Sequence, residues 1–180
     1  MAFVRMAGTI KISGGGNRQT YLQIQTVHAP TMRRIYKLLK KHMMSPEEIA
    51  VKKNNFLKEN SLYIITVVLD NAKSFLSELE MISAGVLNTS LDLPSYLKKR
   101  CCKRAYLRGA FLGGGSISDP IGPYHMEFVT TGKRHAIKLA TVINDFRLNA
   151  KVMERKNNHM VYLKDGNNIA DLLGIIGAHT

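Results

Sequence analysis

The chain has 180 residues, of which 45% are hydrophobic, and this is enough for a sizeable core in one domain or two closely joined halves. Its 26 Lys and Arg residues against 13 Asp and Glu give a net charge of +13, which is typical of a protein with a polyanionic partner. No apolar run reaches the ~20 residues of a membrane span and no charged-then-apolar leader opens the chain, so we expect a cytoplasmic protein rather than a membrane protein.

The first half predicts, in order, a short helix, two strands, a helix, two strands and a closing helix. Alternating apolar residues indicate the strands, and helical spacing of apolar residues indicates the helices. After the first helix, the predicted elements span 10–13, 21–26, 31–43, 49–53, 62–69 and 75–82, with a Gly-rich turn at 14–17. Residues 83–94 lack strong periodicity and are rich in small or turn residues, which indicates a linker.

The second half predicts the same order of elements. It opens with a helix that runs into a glycine-rich segment, Gly113-Gly114-Gly115-Ser116. The elements that follow are predicted at Ile117, 124–130, 133–146, 151–156, 159–163 and 167–176.

Four landmarks recur in the same order in both halves, with offsets that shrink along the chain. The matched segments are 8–10 with 115–117, 22–26 with 126–130, 52–55 with 155–158, and 67–69 with 161–163. Insertions and deletions in loops account for the shrinking offsets. The sequence therefore predicts an internal duplication, in which two copies of one domain follow each other in the chain.

The segments Ala2–Ile10 and Tyr106–Ile117, which we call the motif segments, and the αββαββα order of each half resemble the LAGLIDADG homing-endonuclease fold. The run from Cys101 to Ser116, with Tyr124–Glu127 and Gly177–His179, resembles the WhiA family of bacterial regulators of sporulation and cell division. The resemblance implies an α+β fold of two pseudo-twofold halves, at 1–82 and 95–180, whose antiparallel sheets form a saddle over DNA. In that family a C-terminal helix-turn-helix domain follows; the present sequence stops at Thr180 before any such module, so we expect an isolated part of a longer protein.

The resemblance also assigns roles to small residues in the motif helices. Ala2 and Gly109 would occupy equivalent positions where the two helices pack closely, with Gly113 one turn later. In homing endonucleases the last acid of each motif holds a divalent metal, which stabilises the transition state and activates water. Those positions are Ala7 and Gly114 here, and neither side chain binds a metal.

The other residues do not supply a metal site either. The upstream acid positions of the motifs are Arg5 and Leu112, and we interpret Asp119, the acid next to a motif, as a turn residue rather than a relocated ligand. The two cysteines are adjacent and the six histidines are scattered, without metal-ligand spacing. We therefore expect no catalytic residues, metal or cofactor.

Strand parity predicts the surface that contacts DNA. If Ile10, Ile12, Leu22, Ile24 and Val51 face the helices, the alternate residues form outward faces that are polar and mostly basic. The predicted DNA-contacting residues are Lys11, Ser13, Gln23, Gln25, Lys52, Lys53, Ser118, His125, Lys151, Arg155 and Lys156. By the same alternation, Glu127 also faces outward. Lys53 and Lys156 are expected to meet phosphates rather than bases, and the alternative for the whole surface is an ordinary solvent face.

These observations favour a non-catalytic LAGLIDADG-like domain that associates with double-stranded DNA at the nucleoid, within a WhiA-type transcription regulator. Two basic runs, 98–108 and 33–41, support a polyanionic partner, although charge runs are also typical of solvated helix faces. The alternative is a protein-interaction module for a partner such as a sigma factor or division component, with DNA binding supplied by a C-terminal domain. An active nuclease with unusual ligands would instead cleave DNA in the presence of Mg²⁺.

Overall fold

A computed structural model of the chain describes residues 2–13, 19–41, 46–53, 61–69, 72–78, 80, 82–83, 86–87 and 97–178. Its contacts divide the chain into two compact units. The first-half unit comprises residues 7–76, and the second-half unit comprises 77–180 together with residues 1–6. Within the described ranges, no helix is long and apolar enough to cross a bilayer.

The first-half unit is a four-stranded antiparallel sheet with a helix packed on one face. The first half of the chain contains α1 (Ala2–Ala7), β1 (Gly8–Ile12), β2 (Thr20–Thr26), α2 (Ala29–Lys41), β3 (Pro46–Lys53), β4 (Ser61–Val68) and α3 (Ala72–Glu78). Of these, residues 2–6 of α1 and 77–78 of α3 belong to the second-half unit. The strand order is β1-β2-β4-β3. Leu22 and Ile24 of β2 pair with Val67 and Ile65 of β4, and all four side chains are buried. Apolar alternation thus gives this sheet one core face, on which α2 packs.

Two residues on the helix-facing side of this sheet are exposed. Ile12 is 64% exposed and Val51 is 57% exposed, although the register places both on the face that carries Leu22 and Ile24. β1 and β3 are the edge strands of the sheet, where fewer neighbours cover a side chain. Parity therefore predicted the face of these residues correctly, and their exposure follows from their position in edge strands.

The second-half unit repeats this sheet with a larger helical layer. Its elements are β5 (Ile82–Ser83), β6 (Val86–Leu87), α4 (Arg100–Gly114), β7 (Gly115–Ile117), β8 (Met126–Thr130), α5 (Lys133–Asn144), β9 (Lys151–Arg155), β10 (Asn158–Leu163) and α6 (Gly166–Ile176). The antiparallel strand order is β7-β8-β10-β9. Met126, Phe128, Val161 and Leu163 form the buried face of the sheet. The same order in both sheets is the structural counterpart of the repeat in the sequence.

Local signals explain several boundaries. Asp165 caps α6, because its Oδ1 accepts a hydrogen bond of 2.9 Å from the backbone N–H of Asn168. Gly177 ends the same helix with φ of 82°, a left-handed conformation that favours glycine. Lys156 and Asn157 both have positive φ, 49° and 64°, and form the tight turn between β9 and β10.

Several predicted boundaries differ from the structure, including the starts of β1, α2, β3 and β8, which lie at residues 8, 29, 46 and 126 rather than at 10, 31, 49 and 124. The closing helix of the first half ends at Glu78, and Ile82 belongs to β5, so the short β5–β6 pairing begins inside the predicted helix and extends into the predicted linker. α5 ends at Asn144 rather than at residue 146. β9 ends at Arg155 because Lys156 enters the turn. The predicted turn at 14–17 and most of the linker lie outside the described residues.

Candidate nucleic-acid interface

The N-terminal helix α1 packs against α4 through small residues. A Cβ atom added to Gly109 would lie 3.0 Å from Cβ of Ala2. One added to Gly113 would lie 2.8 Å from Cβ of Met6 and 3.2 Å from the carbonyl oxygen of Phe3. These separations are shorter than ordinary contacts, so the two backbones approach at a distance that excludes larger side chains at Gly109 and Gly113.

The motif helices end at the two positions where the resemblance expects acids. Ala7 is the last residue of α1, and Gly114 is the last residue of α4. A Cβ added to Gly114 would lie 2.9 Å from the carbonyl oxygen of Val129, so this position has no room for a side chain without a backbone shift. Among the described residues, no group of three or more His, Cys, Asp or Glu side chains could hold a metal ion.

In the first-half unit, the predicted contact residues share the face opposite the core. Lys11 pairs with Tyr21 across β1 and β2, and Gln23 and Gln25 follow on the same face of β2. Lys11 and Gln25 are exposed, and Gln23 is partly exposed. Ser13 lies just beyond β1, where its Oγ accepts a 3.1 Å hydrogen bond from the backbone N–H of Gln19.

Lys52 and Lys53 are placed only by their backbone. They pair with Leu62 and Ser61 across β3 and β4, and their side chains lie outside the described residues.

The cations of α2 are on the other side of this sheet. Arg33, Arg34, Lys37, Lys40 and Lys41 are exposed, while Met32 and Leu39 of the same helix are buried. Because α2 packs on the core face through its buried residues, its charged side does not belong to the surface of Lys11 and Gln25. A part of the basic run in this half is thus a solvated helix face.

The outer face of the second sheet carries a row of polar side chains across four strands. The register aligns Ser116, Glu127, Tyr162 and Lys151 in β7, β8, β10 and β9. Ser116 Oγ donates to Glu127 Oε1 at 3.3 Å. We call these four residues and His125 the polar row.

His125 joins this row at the end of the sheet. Its Nε2 lies 3.0 Å from Glu127 Oε2, and its ring stacks on Tyr162 with centroids 6.0 Å apart. Lys164 Nζ lies 5.5 Å from the Tyr162 ring centroid. The polar row therefore offers a flat aromatic surface with cationic and hydrogen-bonding groups beside it, which suits contacts to bases and phosphates.

The β7–β8 loop is held by its own hydrogen bonds. Ser118 Oγ donates to the carbonyl oxygen of Pro123 at 2.9 Å and accepts from the backbone N–H of His125 at 3.0 Å. Asp119 Oδ1 accepts from the backbone N–H of Ile121 at 2.9 Å. Asp119 therefore acts as a turn residue, and Ser118 fixes the backbone of His125 just before β8.

An apolar row separates the polar row from the β9–β10 turn. Met153, Met160 and Val129 are aligned across three strands on the outer face, and Met160 is buried. The expectation that this face is polar and mostly basic was therefore wrong at these positions. Arg155 and Lys156 lie beyond the apolar row and are exposed, as Lys151 is.

Two features of this surface were missing from the predicted set. Tyr162 and Ser116 have outward parity, but their connection to His125 through Glu127 depends on strand register, which parity alone does not supply. Glu127 is also the acidic member of an otherwise polar and cationic set, and its Oε2 lies 3.0 Å from His125 Nε2.

A buried polar cluster lies beneath the helices of the same unit. His135 of α5 is 1% exposed, and its Nε2 lies 3.0 Å from the hydroxyl oxygen of Tyr106. Arg5 is also buried, and its Nη2 donates to the carbonyl oxygen of Glu80 at 3.0 Å. Burial, and secondarily the charge of Arg5, lowers the pKa of His135 from 6.5 to about 4. His135 is therefore neutral at physiological pH and belongs to the core.

Comparison with known families identifies both parts of the chain. A family model described as the WhiA N-terminal LAGLIDADG-like domain matches residues 1–82. A second model, the WhiA LAGLIDADG-like domain, matches residues 103–180.

Full-length relatives agree with these matches. A probable cell division protein WhiA of Clostridium botulinum strain Hall is 44% identical over 182 residues, covering 99% of this chain and 57% of that protein. The corresponding protein of Alkaliphilus metalliredigens is 42% identical over 185 residues, with the same coverage of 99% and 57%. The chain thus spans little more than half the length of these relatives.

Solved structures show the fold. The N-terminal LAGLIDADG domain of DUF199/WhiA has a TM-score of 0.72 at 22% identity, covering 99% of this chain and 79% of that chain. The homing endonuclease I-DmoI in complex with DNA and Mn has a TM-score of 0.65 at 10% identity, covering 99% and 96%. The chain has the α+β, LAGLIDADG homing-endonuclease-like fold that its motifs predict.

Proposed function

Because this chain belongs to the WhiA family through its two LAGLIDADG-like domains, we propose that it is the non-catalytic, DNA-associating part of a bacterial transcription regulator acting in cell division and sporulation. Its place would be the cytoplasm, at the nucleoid. We also propose that the functional halves are residues 1–82 and 95–180, joined by the linker 83–94.

One observation carries the non-catalytic assignment. At the end of α4, where the resemblance expects a metal-binding acid, Gly114 has neither a side chain nor the space for one beside the carbonyl oxygen of Val129. A homing endonuclease needs a carboxylate there to hold the metal that activates water. The absence of a side chain at Gly114, and of space for one, supports the proposal that this domain does not hydrolyse phosphodiester bonds.

The outer sheet faces support DNA association. Lys151, Arg155 and Lys156 are exposed around β9 and its turn, and Lys11 is exposed on the outer face of the first sheet. The net charge of +13 supplies long-range attraction to a polyanion. Lys and Arg at strand ends and turns are suited to phosphate contacts, while the His125–Tyr162 stack offers contacts to bases. DNA-bound I-DmoI shows that this fold is compatible with such a partner.

Titration against mixed-sequence duplex DNA at several salt concentrations tests this proposal. The combined variant Lys151→Ala, Arg155→Ala, Lys156→Ala removes three outer-face cations. If each meets one phosphate, the slope of log affinity against log salt falls by about 3, since each phosphate contact contributes about 0.9. The matched control Arg33→Ala, Arg34→Ala, Lys37→Ala removes the same charge from the exposed side of α2, and we expect a much smaller change.

Strand integrity with and without Mg²⁺ separates the remaining alternatives. Intact DNA under both conditions is the expected result, whereas Mg²⁺-dependent cleavage would refute the non-catalytic assignment. Absence of binding at low salt, or equal effects of the two triple variants, would refute DNA recognition by the outer face. That result would instead favour a protein-interaction module for a partner such as a sigma factor or division component.

A further inference from the structure

A groove of about 460 Å³ lies on the helical side of the second-half unit, away from the sheet face discussed above. It is formed by the start of α4, the end of the α5 segment and the outer side of α6. Its lining residues are Arg100, Arg104, Phe146, Ala170, Asp171, Gly174 and Ile175. The groove thus combines an apolar floor with arginine side chains.

The two arginines are fixed by their neighbours. The guanidinium carbon of Arg100 lies 5.0 Å from the centroid of the Phe146 ring, a cation–π contact. Arg104 Nε donates to the carbonyl oxygen of Ile175 at 2.9 Å. A guanidinium group carries five N–H donors, so the bond to Ile175 leaves Arg104 with further donors for an acidic ligand. Such fixed guanidinium groups lose little conformational entropy when they bind a carboxylate.

The charge around the groove is mainly positive. The first turn of α4 contains no acid, and Lys99 at its N-cap makes no side-chain capping hydrogen bond. The positive end of the helix dipole therefore adds to Arg100 and Arg104. Asp145 is held by Lys103 at 2.6 Å, which leaves Asp171 as the acid among the lining residues.

Gly174 gives independent support for a ligand. It lies inside α6, where glycine costs about 1 kcal/mol relative to alanine. Among the described residues, and apart from the backbone of α6 itself, a Cβ added there would meet no atom within 4 Å, in contrast to Gly109 and Gly113, whose missing side chains are required by the packing of α1 on α4. Packing among the described residues therefore does not explain glycine at this position, and its effect is to keep the groove open.

From these features we propose that the groove binds an acidic peptide segment of a partner protein, with one apolar side chain of that segment seated on the floor. The carboxylates would meet Arg100 and Arg104, and the apolar side chain would contact Phe146 and Ile175. A duplex matches this site less well, because its outer surface presents phosphates and sugars rather than a protruding apolar side chain that could sit on the floor. The site is separate from the outer sheet face, so the domain would hold DNA and a protein partner on different surfaces.

Fluorescence anisotropy with the full 180-residue chain tests the proposal. The probe is a labelled 12-residue peptide of Glu and Asp with two central Leu residues, compared with a peptide in which Ser replaces both Leu and one in which Lys replaces the acids. We expect the acidic Leu peptide to bind at least about tenfold more tightly than either comparison peptide, since both the charge and the apolar anchor contribute.

Variants at Gly174 locate the binding. Gly174→Leu fills the groove from a position without internal clashes, and it should weaken the acidic Leu peptide by at least about tenfold without lowering the Tm of the protein. Gly174→Ala is the matched control; it should raise the Tm and keep most of the affinity. Arg100→Glu, which reverses one wall charge, should also weaken binding.

The DNA titration and this experiment have separate outcomes. Excess unlabelled duplex should leave the peptide bound, and the Gly174→Leu variant should bind duplex as the unmodified chain does. Equal affinity for the Ser and Leu peptides, no effect of Gly174→Leu, or displacement of the peptide by duplex would each overturn the groove proposal and leave the proposal for the sheet face unaffected.

Discussion

Acidification should destabilise this protein through His135. The side chain is 1% exposed in α5, next to the hydroxyl group of Tyr106, and its pKa is lowered from 6.5 to about 4, chiefly by burial and secondarily by the charge of Arg5. Its neutral form is therefore the one compatible with the fold. Protonation in the folded state places a charge in an environment that cannot solvate it.

The sign and size of the effect follow from linkage. Between pH 6.5 and about 4 the unfolded chain binds the proton at His135 and the folded chain does not, so the free energy of unfolding decreases as the pH falls. The stabilisation is fully present above the unfolded pKa. The loss is about 2 kcal/mol at pH 5 and approaches about 3 kcal/mol near pH 4, since each pKa unit corresponds to ~1.4 kcal/mol.

Urea unfolding from pH 7.5 to pH 4, followed by circular dichroism, measures this loss. Other groups titrate in the same range, so the comparison is with His135→Gln, which keeps a polar side chain beside Tyr106 but does not titrate. The difference in unfolding free energy between the two proteins should change by about 2 kcal/mol between pH 7.5 and pH 5. Parallel pH profiles for the two proteins would refute the assignment of a depressed pKa to His135.

Two further substitutions test the packing and the helix signals of the second-half unit. Gly113→Leu should lower the free energy of unfolding by about 1–3 kcal/mol, because its Cβ would lie 2.8 Å from Met6 Cβ; Gly174→Leu is the control in an open position, and equal stability of the two variants in urea unfolding would contradict close α1–α4 packing. Asp165→Ala should cost about 1 kcal/mol through loss of the cap to Asn168, measured by thermal unfolding against Asp171→Ala, and equal Tm values would argue against the cap.

Periodicity predicted the type of most elements because the buried residues of this fold follow simple rules. Leu22 and Ile24 alternate with Gln23 in the sequence, and the two sides of β2 differ in burial as this alternation implies. Ile12 and Val51 lie on the predicted face but are exposed, and alternation alone does not reveal this because it does not show which strand lies at an edge.

The arrangement of the candidate site was less accessible to sequence reasoning. The alternation of residues along each strand predicted that His125 and Lys151 face outward. The contacts among His125, Glu127 and Tyr162 depend on cross-strand register, which alternation does not give. The helical groove depends on three segments that are distant in the chain. In the sequence, Arg100 and Arg104 are simply members of a basic run. Nothing in their spacing indicates that the Phe146 ring lies beside Arg100 or that there is open space at Gly174.

The pairing of α1 with α4 also has a consequence for the order of synthesis. Residues 2–6 belong to the same compact unit as residues 77–180, and their partners Gly109 and Gly113 lie more than half the chain away. On a ribosome, residues 2–6 are synthesised before α4, so the surface that they contact is not present when they emerge. Such long-range closure slows folding. A cut at the boundary of the duplication would separate α1 from α4, so each half expressed alone would present an unpaired motif helix to solvent.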